Sequence, residues 1–183
     1  MAHASSQSVA APTLKAQAAA VDDDAQIQQY LTFMLGGEMY AIGILAIKEI
    51  IEYTALTEVP MMPPSVRGVI NLRGAVVPVA DLAVRFGRPA GDVTKRTCIV
   101  IVETTANGVR QDVGVVVDAV NEVLDIPATD IEPPPAFGTR IRTDFIQGMG
   151  KVKNKFVILL DVNHVLALDE LAGVVEAAEA QTA

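Results

Sequence analysis

The side chains that could do chemistry are few in this 183-residue chain, and their spacing argues against catalysis. The single cysteine, Cys98, lies in the apolar run Cys98-Ile99-Val100-Ile101-Val102. A thiol in apolar surroundings keeps its proton and is inert, so Cys98 reads as packing rather than as a nucleophile. His3 stands near the N-terminus and His164 three residues after Asp161. With no Cys or His beside them, they do not make a metal-ligand spacing. Asp22-Asp23-Asp24 lacks the spaced ligands and glycine of a calcium loop and reads as a solvated charge run. A phosphate loop of the GxxxxGK type does not occur. The expectation is a chain without catalytic residues, metal or cofactor.

Binding is the remaining chemistry. The net charge of −8 opposes general nucleic-acid binding and docking on anionic lipid. Against that background, Arg67, Arg73, Arg85, Arg88, Lys95 and Arg96 face only Asp81 and Asp92 in one stretch, a local excess of four positive charges. A basic face on an acidic protein suits an acidic protein partner through bidentate arginine contacts. Arg85 and Arg88 could equally complement the end of a short helix. Arg73, at the tip of a tight turn, has no such role. Ile47 and Ile50 flank Lys48-Glu49, and Val120 and Val123 flank Asn121-Glu122. Read plainly, these apolar residues are core. Read as exposed, they give one contact patch in each half and a bivalent molecule.

The elements that must position these residues are strands. Half of the residues are hydrophobic, Trp is absent and aromatics are scarce, so the core is aliphatic and rich in β-branched types. Leu31, Phe33 and Leu35 alternate with Tyr30, Thr32 and Met34, the period of a half-buried strand. Gly36-Gly37, Arg73-Gly74, Asn107-Gly108 and Lys153-Asn154 read as hairpin turns. Cys98–Val102 is apolar on both faces and reads as an interior strand. Asp81 is a helix N-cap type, with Gly87 as the stop. Residues 1–25 are rich in Ala, Ser and Gln and read as a disordered tail. Leu171, Val174, Val175 and Ala178 fall at helical spacing, so Asp169–Ala178 reads as a helix. A run of about 18 apolar residues, as a membrane span needs, is missing, and so is the pattern of a secretory signal. One cysteine allows no intramolecular disulfide, which fits a reducing compartment.

The chain also repeats itself. Tyr40–Pro60 aligns without a gap on Val113–Pro133. Ala46 meets Ala119, Ile47 meets Val120, Glu49 meets Glu122 and Ile50 meets Val123. After a short insertion in the second half, between Pro133 and Ile146, the match resumes. Val66–Gly68 meets Ile146–Gly148, and Arg73-Gly74 meets Lys153-Asn154. An internal duplication implies two small β units of about five strands, each too small to bury a full core alone. Short strands with glycine turns favour barrels over an open sheet.

The segment VRGVINLRGAVVPVADLAVRFG (66–87), preceded by AIKEIIEY and VPMMPPS and followed by VGVVVDAVNEVL and FIQGMGKV, resembles the CheW family of bacterial chemotaxis coupling proteins. The similarity runs from about Gln28 to Leu171, with Gly68–Gly74 as its most specific part. The resemblance implies an all-β fold of two SH3-like five-stranded β-barrels packed on a shared hydrophobic core, with short helices and a C-terminal helix. It implies a CheW-like domain over 26–172, barrels over about 38–90 and 97–160 with terminal segments completing them, and a helix end or tail over 173–183. It implies a cytoplasmic, non-catalytic adaptor recruited to membrane receptor arrays. There it would link the tip of methyl-accepting chemoreceptors to the regulatory domain of the histidine kinase CheA. Arg73, Gly68 and Asn71 fall at receptor-contact positions, Ile47, Glu49 and Ile50 at kinase-facing positions, and Val120 and Val123 at the surface of the second barrel. Alternatives are a CheW-like adaptor of a pilus or other non-flagellar pathway, or a small β-barrel ligand carrier or enzyme. A cavity with convergent polar groups would mark the last of these.

Overall fold

The structure is a computed structural model that describes residues 26–106, 108–134 and 143–166. The expected tail over 1–25 and the expected helix over Asp169–Ala178 lie outside the described residues. Among the described residues eleven strands run in chain order: β1 (Ile27–Leu35), β2 (Glu38–Gly43), β3 (Ile47–Glu52), β4 (Val66–Leu72), β5 (Ala75–Asp81), β6 (Cys98–Ala106), β7 (Val109–Val117), β8 (Ala119–Pro127), β9 (Ile131–Glu132), β10 (Ile146–Val152) and β11 (Lys155–Leu160). Two four-residue helices, α1 (Leu82–Arg85) and α2 (Val162–Val165), follow β5 and β11. Asp81 caps α1, its side chain accepting from the N–H groups of Ala83 and Val84 at 3.0 and 3.3 Å, as the N-cap reading required.

The strands form a six-stranded sheet, β8-β1-β2-β11-β10-β9, and a five-stranded sheet, β3-β6-β7-β5-β4. The expected barrel spans of 38–90 and 97–160 therefore do not coincide with the two sheets. The five-stranded sheet is built from residues 47–117, and the six-stranded sheet takes in β1 and β2 from one end of the chain and β8 to β11 from the other. Each sequence repeat gives strands to both barrels.

The pairing registers carry the duplication in detail. In the hairpin β4–β5, Val66 faces Ala80 and Gly68 faces Val79, with a bulge between them. In β10–β11, Ile146 faces Leu160 and Gly148 faces Leu159, with the bulge at the same place. The parallel pair Val79↔Gly114 in one barrel is matched by Leu159↔Ala41 in the other, Val79 corresponding to Leu159 and Gly114 to Ala41. Ile47↔Val102 and Ile50↔Val100 are matched in the same way by Val120↔Phe33 and Val123↔Leu31.

Both turns opposite these bulges use left-handed backbone. Arg73 and Gly74 stand at φ 54° and 87°, Lys153 and Asn154 at 49° and 65°. Positive φ at both central residues is the two-residue hairpin geometry whose twist matches the strands.

The core has three parts. Ile70, Val77, Val79, Ile99, Ile101 and Val116 fill the five-stranded barrel. Tyr30, Ala41, Ile126, Val157 and Leu159 fill the six-stranded one. The largest cluster lies between them and draws on both, including Phe33, Tyr40, Phe86, Val100, Val102 and Val113. This explains why β6 is apolar on both faces: Ile99 and Ile101 point into their own barrel, Val100 and Val102 into the shared core. A row of rings crosses the junction, with centroid distances of 6.1 Å for Phe33–Tyr40, 5.6 Å for Tyr40–Phe86 and 6.1 Å for Phe86–Phe145. Burial, reinforced by the neighbouring Glu38 carboxylate, pushes the Tyr40 hydroxyl up to about 12.

Candidate functional site

Strands β3 and β4 are the two edges of the five-stranded sheet. The seam between them is held by contacts near its two ends. At one end Thr57 forms a bridge to Val69 through two backbone hydrogen bonds of 3.0 and 2.9 Å. At the other, Arg73 reaches from the β4–β5 turn to Glu49 on β3, its Nη1 and Nη2 donating to Oε2 and Oε1 at 2.6 and 3.1 Å. The pair is bidentate and lies at the surface, with the Arg73 side chain 76% exposed.

Around this pair the expected site residues differ in what they touch. Asn71 holds the turn that presents Arg73: its Oδ1 accepts the Gly74 N–H at 2.8 Å. Gly68 is needed for space, because a Cβ there would stand 2.5 Å from the Thr57 carbonyl oxygen. Both position the seam. Ile47 packs partly into the shared core, and so does Val120 at the matching place in the other barrel. Ile50 and Val123, the next matched pair, are exposed at 43% and 46%. The bulge after Ile47 offsets the strand's alternation, so Ile50, opposite Val100, lies on the same face of β3 as Ile47, opposite Val102, yet stays exposed. Each barrel thus carries one exposed aliphatic residue at an equivalent position. Glu122, the counterpart of Glu49, is fixed through its backbone, which exchanges bonds of 3.1 and 2.7 Å with the Thr32 hydroxyl.

Arg73 and Glu49, which the resemblance assigned to different contact faces, pair with each other. The broad basic face does not survive in the same form. Arg67 Nε donates to the buried Asp81 at 2.7 Å, and Arg88 donates to Glu38 at 3.3 Å. Arg85 lies over the Phe145 ring at 5.1 Å and donates to the Val165 carbonyl at 3.0 Å, tying α1 to α2. These cations are engaged within the molecule. The hairpin centred on Arg73-Gly74 carried a signal for the Arg67–Asp81 pair, since counting outward from the turn places position 67 opposite 80, next to Asp81. Sequence reasoning also missed Thr57, and nothing local in the sequence marks it.

The candidates for enzyme chemistry find other roles. Cys98 is half-buried, and burial together with the nearby Glu52 carboxylate raises its pKa, which disfavours the thiolate. His164 is at the surface, with its Nδ1 2.8 Å from Asp161 Oδ2. Among the described residues, no group of three or more His, Cys, Asp or Glu is placed to hold a metal ion.

Two packed SH3-like barrels with a clasped, solvent-facing seam and matched apolar spots define a scaffold class of protein, one that works by contact. Comparison with known proteins makes this specific. The model of the CheW-like domain matches residues 29–170, and the chain belongs to that family. It is similar to a chemotaxis protein CheW of Klebsiella aerogenes, with 35% identity over 79% of this chain and 85% of that one. It is also 35% identical to a chemotaxis protein CheW of Bacillus subtilis, over 76% and 86% of the two chains. The crystal structure of the scaffolding protein TtCheW from Thermoanaerobacter tengcongensis superposes with a TM-score of 0.70 at 35% identity, covering 78% of this chain and 90% of that one.

Proposed function

We propose that this chain is a non-catalytic adaptor of a chemotaxis-type pathway that couples chemoreceptors to the histidine kinase CheA. Family membership supports the adaptor role, and the relatives' names place it in chemotaxis signalling. The clasped seam is the single observation that carries the finer reading. Arg73, held at the surface on Glu49 by a turn that Asn71 fixes, is the contact for the receptor tip. Ile50, exposed beside it on the same edge strand as Glu49, is the contact for the kinase regulatory domain. Val123 offers the second barrel for a further contact of the same kind. The protein then works in the cytoplasm beside receptor arrays; in the described residues no helix is long and apolar enough to cross a membrane.

Separate titrations test this. With purified CheA regulatory domain, Ile50→Asp is expected to weaken binding at least tenfold while Arg73→Glu changes it little. With a receptor-tip fragment the order is expected to reverse. Equal loss at both partners for both variants would contradict the assignment of separate partners to the two residues.

A further inference from the structure

The duplication allows each barrel to be compared with the other at the same place, and one place differs. At the end of the six-stranded barrel, beneath α2, lies an open groove of about 750 Å³. The matching site in the five-stranded barrel, beneath α1, is closed around Arg67 to about 10 Å³, with a separate open depression of about 590 Å³ beside it at Asp118 and Ala119. The walls of the groove and of the closed site correspond through the sequence repeat. Arg67 and Asp81 in the closed site stand where Gln147 and Asp161 stand in the open one. Ala83 matches Asn163 in the same register.

An arginine makes the difference. In the closed site Arg67 enters from β4, donating to Asp81 Oδ2 at 2.7 Å, to the Gly91 carbonyl at 3.1 Å and to the Tyr53 hydroxyl at 3.3 Å. In the open site the residue at that position is a shorter, neutral glutamine. Asp161 keeps the capping role, with its Oδ1 accepting the His164 N–H at 3.2 Å, and among the described residues its Oδ2 meets the solvent-exposed His164 ring at 2.8 Å. Asp161 is 32% exposed, where Asp81 is 3% exposed. Asp125 adds a second carboxylate to the groove, and Leu45, fully exposed, gives it an apolar rim.

We propose that this groove is a socket for an arginine-bearing segment of a partner protein, whose guanidinium pairs with Asp161 as Arg67 pairs with Asp81 in the sister barrel. Charge selects the occupant. The chain's own residues 167–183 hold four acidic residues and no Lys or Arg, and residues 1–26 hold one lysine against three aspartates. Neither terminus suits a groove lined by two carboxylates and no cation. Of the segments outside the described residues, 135–142 carries Arg140 and Arg142; tighter peptide binding in the double variant Arg140→Ala, Arg142→Ala would assign the groove to that segment and overturn the proposal. A guanidinium suits it because the fork can take carboxylate oxygen and backbone carbonyl at once. The inference rests on the internal comparison and is independent of the receptor and kinase assignments.

The test uses the full chain, amide chemical shifts, and the peptide acetyl-Leu-Arg-Leu-amide against its isosteric, uncharged citrulline analogue at fixed ionic strength. The expected result is saturable shifts at Gln28, Gln147, Val162 and Asn163, with the arginine peptide at least tenfold tighter. Asp161→Asn, which keeps the helix cap, is expected to remove that tenfold preference. Gln147→Arg, which installs the sister arrangement, is expected to fold and to block the peptide. Equal affinity for the two peptides, shifts that do not saturate or lie elsewhere, or an undiminished preference in Asp161→Asn would overturn the proposal.

Discussion

Arg73 and Glu49 form a close bidentate ion pair, yet the pair contributes little to stability. An exposed pair of this kind is worth under about 1 kcal/mol, because water screens it and two long side chains must be held in place. Its geometry matters more than its strength: it is a clasp across the seam that costs little to open. Arg73→Ala is accordingly expected to cost under about 1 kcal/mol in chemical denaturation. Gly68→Ala, on the same hairpin, is expected to cost about 1–3 kcal/mol, since the added methyl group meets the Thr57 backbone and not a mobile side chain. Equal losses for the two variants would show the clasp to be structural. Arg73 could be singled out from its place in a turn. Its partner could not, because the sequence between Glu49 and Arg73 holds no periodicity that reports which edge strands face each other across a closing barrel.

At the scale of elements, ion pairs with buried partners have a different weight. Asp81 caps α1 and receives Arg67, which also holds the Gly91 carbonyl. Replacing Asp81 by alanine leaves a largely buried guanidinium without its counter-charge and is expected to cost about 3–5 kcal/mol. A melting curve no lower than wild type would contradict it. Tyr40 gives the junction a pH dependence. Its hydroxyl ionises near 10 in the unfolded chain and at about 12 in the folded one. Between these values the unfolded state has lost a proton that the folded state retains, so stability falls as pH rises from 10 to 12 and is unaffected by this group below 10. The loss is on the order of 2–3 kcal/mol, and Tyr40→Phe is expected to remove this part of the alkaline dependence. The elements themselves were legible: alternation gave β1, the Gly and Lys-Asn turns gave the hairpins, and the doubly apolar β6 gave an interior strand. Their assignment to barrels was not. Sequence registers show that Ile47 corresponds to Val120. They do not show that β3 pairs with β6 from the other repeat, because pairing is decided by the packing of both repeats together.

The whole molecule is therefore an exchange of strands between two copies of one unit, and neither copy is a barrel by itself. A chain of residues 26–90 is expected to show no cooperative unfolding alone, and to recover it on mixing with residues 91–183. Independent folding of the first fragment would mean that the repeats are the folding units. The same architecture places Ile50 and Val123 at equivalent positions on two barrels, which suits a scaffold that touches two neighbours at once. The most direct test of this account is reconstituted kinase activity with receptor, CheA and this protein, comparing wild type with Arg73→Glu. The account expects the variant to fold and bind CheA as wild type does, with receptor-dependent kinase activation reduced at least tenfold. Activation equal to wild type, with the variant folded and bound, would contradict it.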